Sequence, residues 1–351
     1  MDVGATLSGL RQWAALPAGG RSHVARGFAR AVAIRAHNIA ALRFVLPQGA
    51  FRTSPDEEAE VRRRLFALYA ADYRNVKDGV YPESLADGFS WWDLLKSYPR
   101  LIRDAPLMRR HAFAKVYDDL PDDAAGYPKY YRRNFHFQTD GYLGSDSAAI
   151  YESQVELLFA GSAGAMHRQV LPPLVRELRE RPKPRILDLA CGTGPVLRML
   201  HTALPHAQLF GVDLSPHYIA RARERLGDVM PLSLVVENAE TLPFVDGYFD
   251  AVTNVYLMHE LPPDVRDRVL REVARVLVPG GLFVLADSVQ IADAPAIARQ
   301  LDSFPVRFHE PFYRQYSRDD MAARLRRAGL EPIDTQQHFL TKVTVCRQRA
   351  A

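Results

Sequence analysis

The spacing of apolar residues divides the chain into a helical first part and a second part in which strands and helices alternate. Residues 1–125 show no alternation of apolar and polar positions, and proline interrupts their helical spacing. These interruptions fall at Pro47, Pro82, Pro99, Pro106 and Pro121. We predict a helical N-terminal domain at 1–125, an aromatic-rich cap with a connecting helix at 126–180, and a strand–helix domain at 181–351.

Short apolar runs in the third region predict the strands of one sheet. The runs are 186–189, 209–213, 232–236, a fourth that ends near Asn254, 282–287, 330–335 and 339–346. Strand and helix alternate five times between 185 and 287, which predicts a doubly wound, mostly parallel sheet. A proline-punctuated insertion at 289–316 follows. We then predict a helix over 317–328, capped by Ser317 with Asp320 three residues on.

The stretch from Ile186 to Gly194 is a buried strand that runs directly into a glycine turn and then a helix. Such a turn offers backbone N–H groups to a polar ligand. Asp213 ends the next strand, where a carboxylate accepts the hydroxyls of a ribose. A dinucleotide fingerprint needs a third glycine, and Leu197 stands at that position. The pattern therefore predicts a nucleoside site and argues against NAD or FAD.

Three further features narrow the choice of nucleoside. Asp188 lies inside the first strand, where a carboxylate suits the cationic end of a ligand. A polar loop at 237–244 closes the third strand, and the segment 275–281 ends a helix and begins a strand. Together these motifs resemble the class I S-adenosylmethionine (SAM) methyltransferases over residues 185–290. Within that family the chain is most similar to small-molecule enzymes of the ubiquinone/menaquinone C-methyltransferase type.

The resemblance implies a Rossmann-like, doubly wound, mostly parallel seven-stranded sheet with an antiparallel edge hairpin, preceded by the helical domain. It also implies the cofactor-binding residues, which are Asp188, Ala190, Gly192, Gly194, Asp213, Leu214, Asn238, Ala239, Asn254 and Tyr256. Ala190 stands where the family often has glycine, and Asn238 where it often has aspartate. From the residues alone, other roles stay open: Asp213 as a helix cap, Asp188 as a structural acceptor, and Cys191 as a small buried side chain.

The methyl acceptor has to be inferred from the segments that overhang the strand ends. The candidate substrate contacts are Tyr131, His136, Tyr142, Tyr256 and Tyr313, and the candidate catalytic residues are His259, Glu310 and His309. His259 is the first choice because it follows the fourth strand, where the family places acceptor contacts. The abundance of aromatic residues favours a lipophilic or aromatic acceptor. Interdomain packing of the segment 127–142, and a structural role for His259, are the alternatives.

The cysteine count argues against a disulfide-rich protein and against a cysteine-ligated metal site, and the charge distribution sets the N-terminal segment apart. The net charge is +4, and the two cysteines give neither a disulfide framework nor a metal site, which suits a cytoplasmic protein. No acidic residue lies between Asp2 and Asp56. This segment instead contains the arginines Arg11, Arg21, Arg26, Arg30, Arg35, Arg43 and Arg52. It is interpreted as a helix packed on the body, as a peripheral membrane contact or as a transit peptide.

We therefore expect a SAM-dependent methyltransferase that acts on carbon or oxygen of a small, lipophilic or aromatic molecule. Nucleic acid is not expected as a partner, because the basic stretch is confined to the N-terminus and no base-methylation motif follows the fourth strand. The helical N-terminal domain would act as a lid, an acceptor wall or a dimer surface. The alternatives are a SAM-binding fold with a regulatory or other chemical role, and an NAD(P) oxidoreductase.

Overall fold

The computed structural model describes residues 13–42, 53–86, 92, 95, 99, 126–138 and 141–349. The helices before the sheet are α1 (Ala18–Leu42), α2 (Pro55–Lys77), α3 (Glu83–Ala86), α4 (Ser145–Leu158), α5 (Ala163–His167) and α6 (Leu171–Leu178). The strands are β1 (Arg185–Leu189), β2 (Gln208–Asp213), β3 (Leu232–Val236), β4 (Phe249–Val255), β5 (Leu277–Ser288), β6 (Leu330–His338) and β7 (Thr341–Gln348). The remaining helices are α7 (Pro195–Ala203), α8 (Pro216–Arg225), α9 (Pro263–Val276), α10 (Ala298–Phe308), α11 (Tyr313–Tyr316) and α12 (Met321–Arg327).

The seven strands form one sheet in the order β3-β2-β1-β4-β5-β7-β6. Strands β1 to β5 are parallel, whereas β7 runs antiparallel between β5 and β6. The predicted doubly wound sheet with an antiparallel edge hairpin is therefore confirmed. Side chains of β1 alternate between two cores: Ile186 packs in one, and Leu187 and Leu189 pack in the other. Both faces of the sheet are thus covered, and the carboxyl ends of the parallel strands meet at one edge.

The N-terminal helices share a core with the sheet domain. Val24 of α1 and Leu68 of α2 are buried with Met166 of α5 and with Phe339 of the β6–β7 hairpin. Two arginines of α1 form ion pairs with acidic residues, Arg26 with Glu83 and Arg35 with Glu58. This arrangement matches the packed-helix interpretation of the arginine-rich segment. Within the described part of the chain, no helix combines the length and the apolar character needed to cross a membrane.

A buried charge cluster fastens α2 to the segment before the sheet. Asp72 is fully buried and accepts two hydrogen bonds from the Arg168 guanidinium, at 2.8 and 2.7 Å. The Tyr81 hydroxyl donates to the same carboxylate at 2.7 Å, and His23 Nε2 lies 3.0 Å from it. Burial raises the pKa of Asp72, but Arg168 and these hydrogen bonds outweigh that effect and lower it to about 2. The N-terminal helices are therefore joined to the body by polar as well as apolar contacts.

Some sequence-predicted boundaries were wrong. The helix expected at 317–328 begins at Met321, because Asp320 rather than Ser317 is its cap: Asp320 Oδ1 accepts from the Ala323 N–H at 2.9 Å. The Ser317 hydroxyl instead donates to the Arg314 carbonyl. The last two strands extend further than expected, to residues 338 and 348. The insertion predicted at 289–316 contains α10 and α11.

Candidate active site

The glycine turn after β1 has the backbone shape that its sequence predicts. Gly192 and Gly194 have φ angles of 56° and 84°, and Gly194 is the residue before α7, which starts at Pro195. Ala190 also has a positive φ, 58°. Ala190 stands where the resembled family often has glycine, and it holds a backbone conformation that glycine adopts without steric cost.

Asp213 connects this turn to the start of α8. Its Oδ2 accepts from the Gly192 N–H at 2.9 Å, and its Oδ1 accepts from the Ser215 N–H at 2.9 Å. Ser215, not Asp213, caps α8, because its hydroxyl accepts from the Tyr218 N–H. Burial raises the pKa of Asp213 to about 6, against the effect of these N–H donors. Each carboxylate oxygen keeps one lone pair for a further donor, such as a ribose hydroxyl.

Two buried acceptors without partners lie at the ends of β1 and β4. Asp188 Oδ1 accepts from the Thr253 hydroxyl at 2.8 Å, while Oδ2 has no hydrogen-bond partner. Asn254 Nδ2 donates to the Leu189 carbonyl at 2.8 Å, while Oδ1 has none. Burial raises the pKa of Asp188 to about 7. Unpartnered buried acceptors are costly, so these two oxygens fit a cationic, donor-bearing ligand end such as the methionine part of SAM.

The loop after β3 contains the two residues that we expect to contact the adenine. Asn238 and Ala239 line the cleft, as does Leu214 after β2. The side-chain oxygen of Asn238 accepts from the Glu240 N–H at 2.9 Å, and its Nδ2 donates to the Glu240 carboxylate at 3.3 Å. The loop thus holds Asn238 in place, and its amide oxygen keeps a lone pair for the adenine amino group.

A cleft of about 820 Å³, counted to its open mouth, lies at the carboxyl edge of the sheet. One set of lining residues is on the nucleoside side and consists of Ala190, Gly192, Asp213, Leu214, Asn238 and Ala239. A second set is aromatic and consists of Tyr130, Tyr131, Phe135, Tyr142, Tyr151, Tyr218 and Tyr256. The cleft therefore has two chemically different halves, which we call the donor half and the acceptor half.

Tyr131 and Tyr142, both predicted substrate contacts, lie in the acceptor half. The Tyr142 ring stacks on Phe135 at 5.1 Å and meets Tyr151 edge-on at 5.9 Å. Tyr142 also donates its hydroxyl to Glu260 Oε1 at 2.7 Å. The segment that contains them is thus bound to the turn after β4, and its aromatic rings face the cleft as well as one another.

Tyr256 borders both halves. Its φ is 59°, its ring stacks on Phe159 at 5.8 Å, and its hydroxyl forms a hydrogen bond with Thr341. The hydroxyl is therefore engaged with β7. The ring lines the cleft beside Leu257.

The candidate catalytic residues form a chain of charged groups behind the acceptor half. His259 Nδ1 lies 2.6 Å from Asp287 Oδ1, and its Nε2 lies 3.5 Å from Glu310 Oε2. Glu310 Oε1 in turn lies 3.6 Å from His136 Nε2, which is 4.0 Å from Glu260 Oε1. The structure thus brings His259, Glu310 and His136 together, although the insertion, the cap and the turn after β4 are far apart in sequence.

Burial and neighbouring charges determine the protonation of this chain. Burial lowers the pKa of His259, but Asp287 and Glu310 outweigh that effect and raise it to about 10, so the imidazole is charged at neutral pH. Burial raises the pKa of Glu310 to about 8 and lowers that of His136 to about 3. His259 is therefore not a free base in this arrangement, and both its ring nitrogens face carboxyl groups.

The other two predicted residues lie close to this chain. Tyr313 is buried, with its ring 5.8 Å from that of His259 and its hydroxyl 2.6 Å from the Ser288 hydroxyl. It packs behind the cleft wall and does not line the cleft. His309 ends α10 with a φ of 49°, and its charge contributes to lowering the pKa of His136.

Sequence reasoning assigned no role to several cleft residues. Glu260 and Tyr130 lie in segments that were expected at the cleft, but they were not singled out. Tyr151 and Tyr218 were missed because helix spacing alone does not show that α4 crosses α8. The available signal was the position of Tyr218 in the first turn after the Asp213 loop; its hydroxyl lies 2.7 Å from that of Ser147 in α4.

The region that matches known proteins includes the residues of the donor half. A family model described as a methyltransferase domain matches residues 186–281, which begin in β1 and end in β5. The chain contains a class I SAM-dependent methyltransferase domain. SAM is the methyl donor that this domain implies, and the unpartnered oxygens of Asp188 and Asn254 fit its cationic end.

Relatives of this domain share its central region. The ubiquinone/menaquinone biosynthesis C-methyltransferase UbiE of Methylobacterium nodulans is 35% identical over 150 residues, covering 41% of this chain and 58% of that enzyme. The malonyl-[acyl-carrier protein] O-methyltransferase of Geobacter sulfurreducens is 33% identical over 153 residues, covering 43% and 57%. The chain thus spans less than two thirds of the length of these curated relatives. The 1,6-didemethyltoxoflavin-N1-methyltransferase of Burkholderia thailandensis is 20% identical, with 59% and 87% covered and a TM-score of 0.43.

Proposed function

We propose that this protein transfers the methyl group of SAM to carbon or oxygen of a small, lipophilic or aromatic molecule. The observation that carries the proposal is the two-sided cleft. Its donor half is lined by the glycine turn, Asp213 and the loop after β3, next to the buried unpartnered oxygens of Asp188 and Asn254, and its acceptor half is lined by tyrosine and phenylalanine rings. One cleft therefore offers both reactants a place at the same strand ends.

The donor-half residues would hold SAM by charge and hydrogen bonding. Asp188 Oδ2 and Asn254 Oδ1 would accept from the methionine end, Asp213 from the ribose hydroxyls, and Asn238 from the adenine. SAM supplies an activated methyl group on a sulfonium when bound. The protein has to position the acceptor and exclude water, and positioning accounts for about 7–11 kcal/mol of the barrier in favourable cases.

The acceptor-half residues would orient the acceptor and control its proton. We assign this role to His259 together with Glu310, and the nearby His309 and His136 would tune their charge. His259 is held by Asp287 at 2.6 Å, and Glu310 stands between His259 and His136. With a pKa of about 8 beside the charged His259, Glu310 is partly ionised near neutral pH, and its ionised form would take a proton from the acceptor. Tyr131, Tyr142 and Tyr256 would form the surface on which the acceptor lies.

The test is methyl transfer from isotopically labelled SAM by the full chain. The panel of acceptors contains hydroxylated aromatics, carbon acids such as 1,3-diketones, and their saturated analogues, with products identified by mass spectrometry. We expect label in a carbon- or oxygen-methylated product, and at least about fivefold less label with Asp213→Ala at a SAM concentration near the wild-type Kd. Tight SAM binding without transfer to any acceptor would favour a regulatory role. Tighter binding of NAD(P)H than of SAM would favour an oxidoreductase.

A further inference from the structure

The charged residues that line the cleft are all acidic within the described part of the chain: Asp213, Glu237 and Glu260. Backbone N–H groups already engage two of them, since Asp213 accepts from the Gly192 and Ser215 N–H groups and Glu237 accepts from the Asn238 N–H. Glu260 differs. Its hydrogen bond to a described residue is the one from the Tyr142 hydroxyl, at Oε1.

Among the described residues, no lysine or arginine forms an ion pair with Glu260. The nearest basic side chain is His136, with its Nε2 at 4.0 Å, and burial lowers the pKa of that ring to about 3. The charged His259 faces Asp287 and Glu310 through its two ring nitrogens, and its charge lowers the pKa of Glu260 by less than burial raises it. Burial raises the pKa of Glu260 itself to about 7, which is the behaviour of a mostly buried carboxyl that lacks a full counter-charge.

Aromatic residues share the cleft with this carboxyl group. Tyr142 donates to it, and Tyr151 meets Tyr142 edge-on at 5.9 Å. Tyr131 and Tyr151 line the same cleft as Glu260. A carboxylate bordered by aromatic rings is the combination that binds organic ammonium groups, because the ring faces and the carboxylate both attract a cation.

We propose that the acceptor carries a cationic amine, and that Glu260 anchors it among Tyr131, Tyr142 and Tyr151. This inference rests on the proposed methyltransferase function and specifies its substrate class. The ammonium group is an anchor and not the methylated atom, so no covalent step is added. An acidic lining of this kind would repel carboxylate and phosphate groups, and anionic acceptors should therefore bind poorly.

The alternative assignment of Glu260 is to the sulfonium of the donor. The structure favours the acceptor, because the unpartnered oxygens of Asp188 and Asn254, buried near the ends of β1 and β4, are already available for the cationic end of the donor. Glu260 instead belongs to the turn after β4 and is bound to the cap through Tyr142. The two assignments predict different losses on mutation, which makes them separable.

The test measures binding of three matched probes to the full chain saturated with S-adenosylhomocysteine, which lacks the sulfonium. The probes are tyramine, which is cationic, tyrosol, which is neutral, and 4-hydroxyphenylacetate, which is anionic. We expect tyramine to bind at least about tenfold more tightly than tyrosol, and the anion to bind most weakly. Glu260→Gln should abolish the preference for tyramine. Asp228→Asn, which removes an exposed carboxylate of equal charge, should keep it.

The outcomes distinguish this inference from the function on which it rests. The inference is overturned by the wild type alone if it binds tyramine no more tightly than tyrosol, or if it binds neither. A Glu260→Gln protein that keeps the preference, or that loses affinity for SAM but not for S-adenosylhomocysteine, would also overturn it. Amine-selective binding with no methyl transfer to any amine-bearing acceptor would instead contradict the proposed function.

Discussion

The donor and acceptor halves of the cleft are built in different ways. The donor half follows the chain closely: the turn after β1, the end of β2 and the loop after β3 each contribute residues beside a strand end. The acceptor half consists of residues from segments far apart in sequence: the cap residues Tyr130, Tyr131, Phe135 and Tyr142, together with residues of α4, α8 and the turn after β4. Local sequence thus determines the first half, whereas tertiary packing between distant segments determines the second.

The two halves constrain their residues to different degrees. A turn that must present N–H groups constrains its residues tightly, and Asp213 is fixed by two backbone donors. The aromatic residues are held instead by side-chain contacts, such as those of Tyr142 with Glu260 and of Tyr218 with Ser147, and no backbone conformation fixes their residue type. The acceptor half is therefore where this chain would acquire its own substrate.

The largest effect is expected from His259→Ala, which tests whether the acceptor half carries the chemistry. We expect kcat to fall by about 10²–10⁴-fold, because the charge that holds Glu310 is lost. Affinity for SAM should change by less than about threefold, since the donor half is untouched. Steady-state kinetics with the labelled-product assay and calorimetry with SAM give the two values. Equal losses in both, or normal turnover between pH 6 and 9, would show that His259 is structural.

Asp72→Ala tests whether the N-terminal helices are part of the body. The change leaves the Arg168 guanidinium buried without its carboxylate, which costs about 3–5 kcal/mol of unfolding free energy. Asp228→Ala breaks an exposed pair with Arg198, which solvent screens, and should leave the unfolding free energy nearly unchanged. Urea titrations of both variants provide the comparison. A similar, small loss in the two proteins would mean that α2 is only loosely attached.

The sequence predicted the donor half more completely than the acceptor half, for a physical reason. Glycines with positive φ and apolar strands are local requirements, so Gly192 and Asp213 were found from spacing alone. The pairing of His259 with Asp287 and Glu310 depends on how the insertion folds back on the turn after β4. No periodicity encodes that contact, and Tyr151 was missed for the same reason. Tyr313 was expected at the substrate and packs instead behind His259.

The pH dependence of SAM binding tests the charge of the donor half. Burial raises the pKa of Asp188 to about 7, so its carboxyl is largely ionised only above that pH. A cationic ligand binds the ionised form, and affinity should therefore rise with pH, by up to about tenfold between pH 6 and 8. Asp188→Asn should flatten most of this rise. A flat profile in the wild type would place the cationic end of SAM elsewhere.

The smallest effect is expected from Ala190→Gly, which sharpens the role of the turn. Glycine adopts the φ of 58° without steric cost, so the unfolding free energy should rise by up to about 1 kcal/mol. Ala222→Gly, in the middle of α8, should lower it by about 1 kcal/mol. Thermal unfolding of the two variants gives the signs. A loss of stability in Ala190→Gly would show that the turn is not strained.

The most direct test of the central claim is calorimetric titration of the wild type and Asp213→Ala with SAM, with NADH as the competing nucleoside. We expect the wild type to bind SAM more tightly than NADH, and Asp213→Ala to bind SAM at least about tenfold more weakly than the wild type while keeping its fold. This loss corresponds to removal of charge-assisted hydrogen bonds worth about 1.5–3 kcal/mol. Unchanged SAM affinity in Asp213→Ala, or tighter binding of NADH by the wild type, would contradict it.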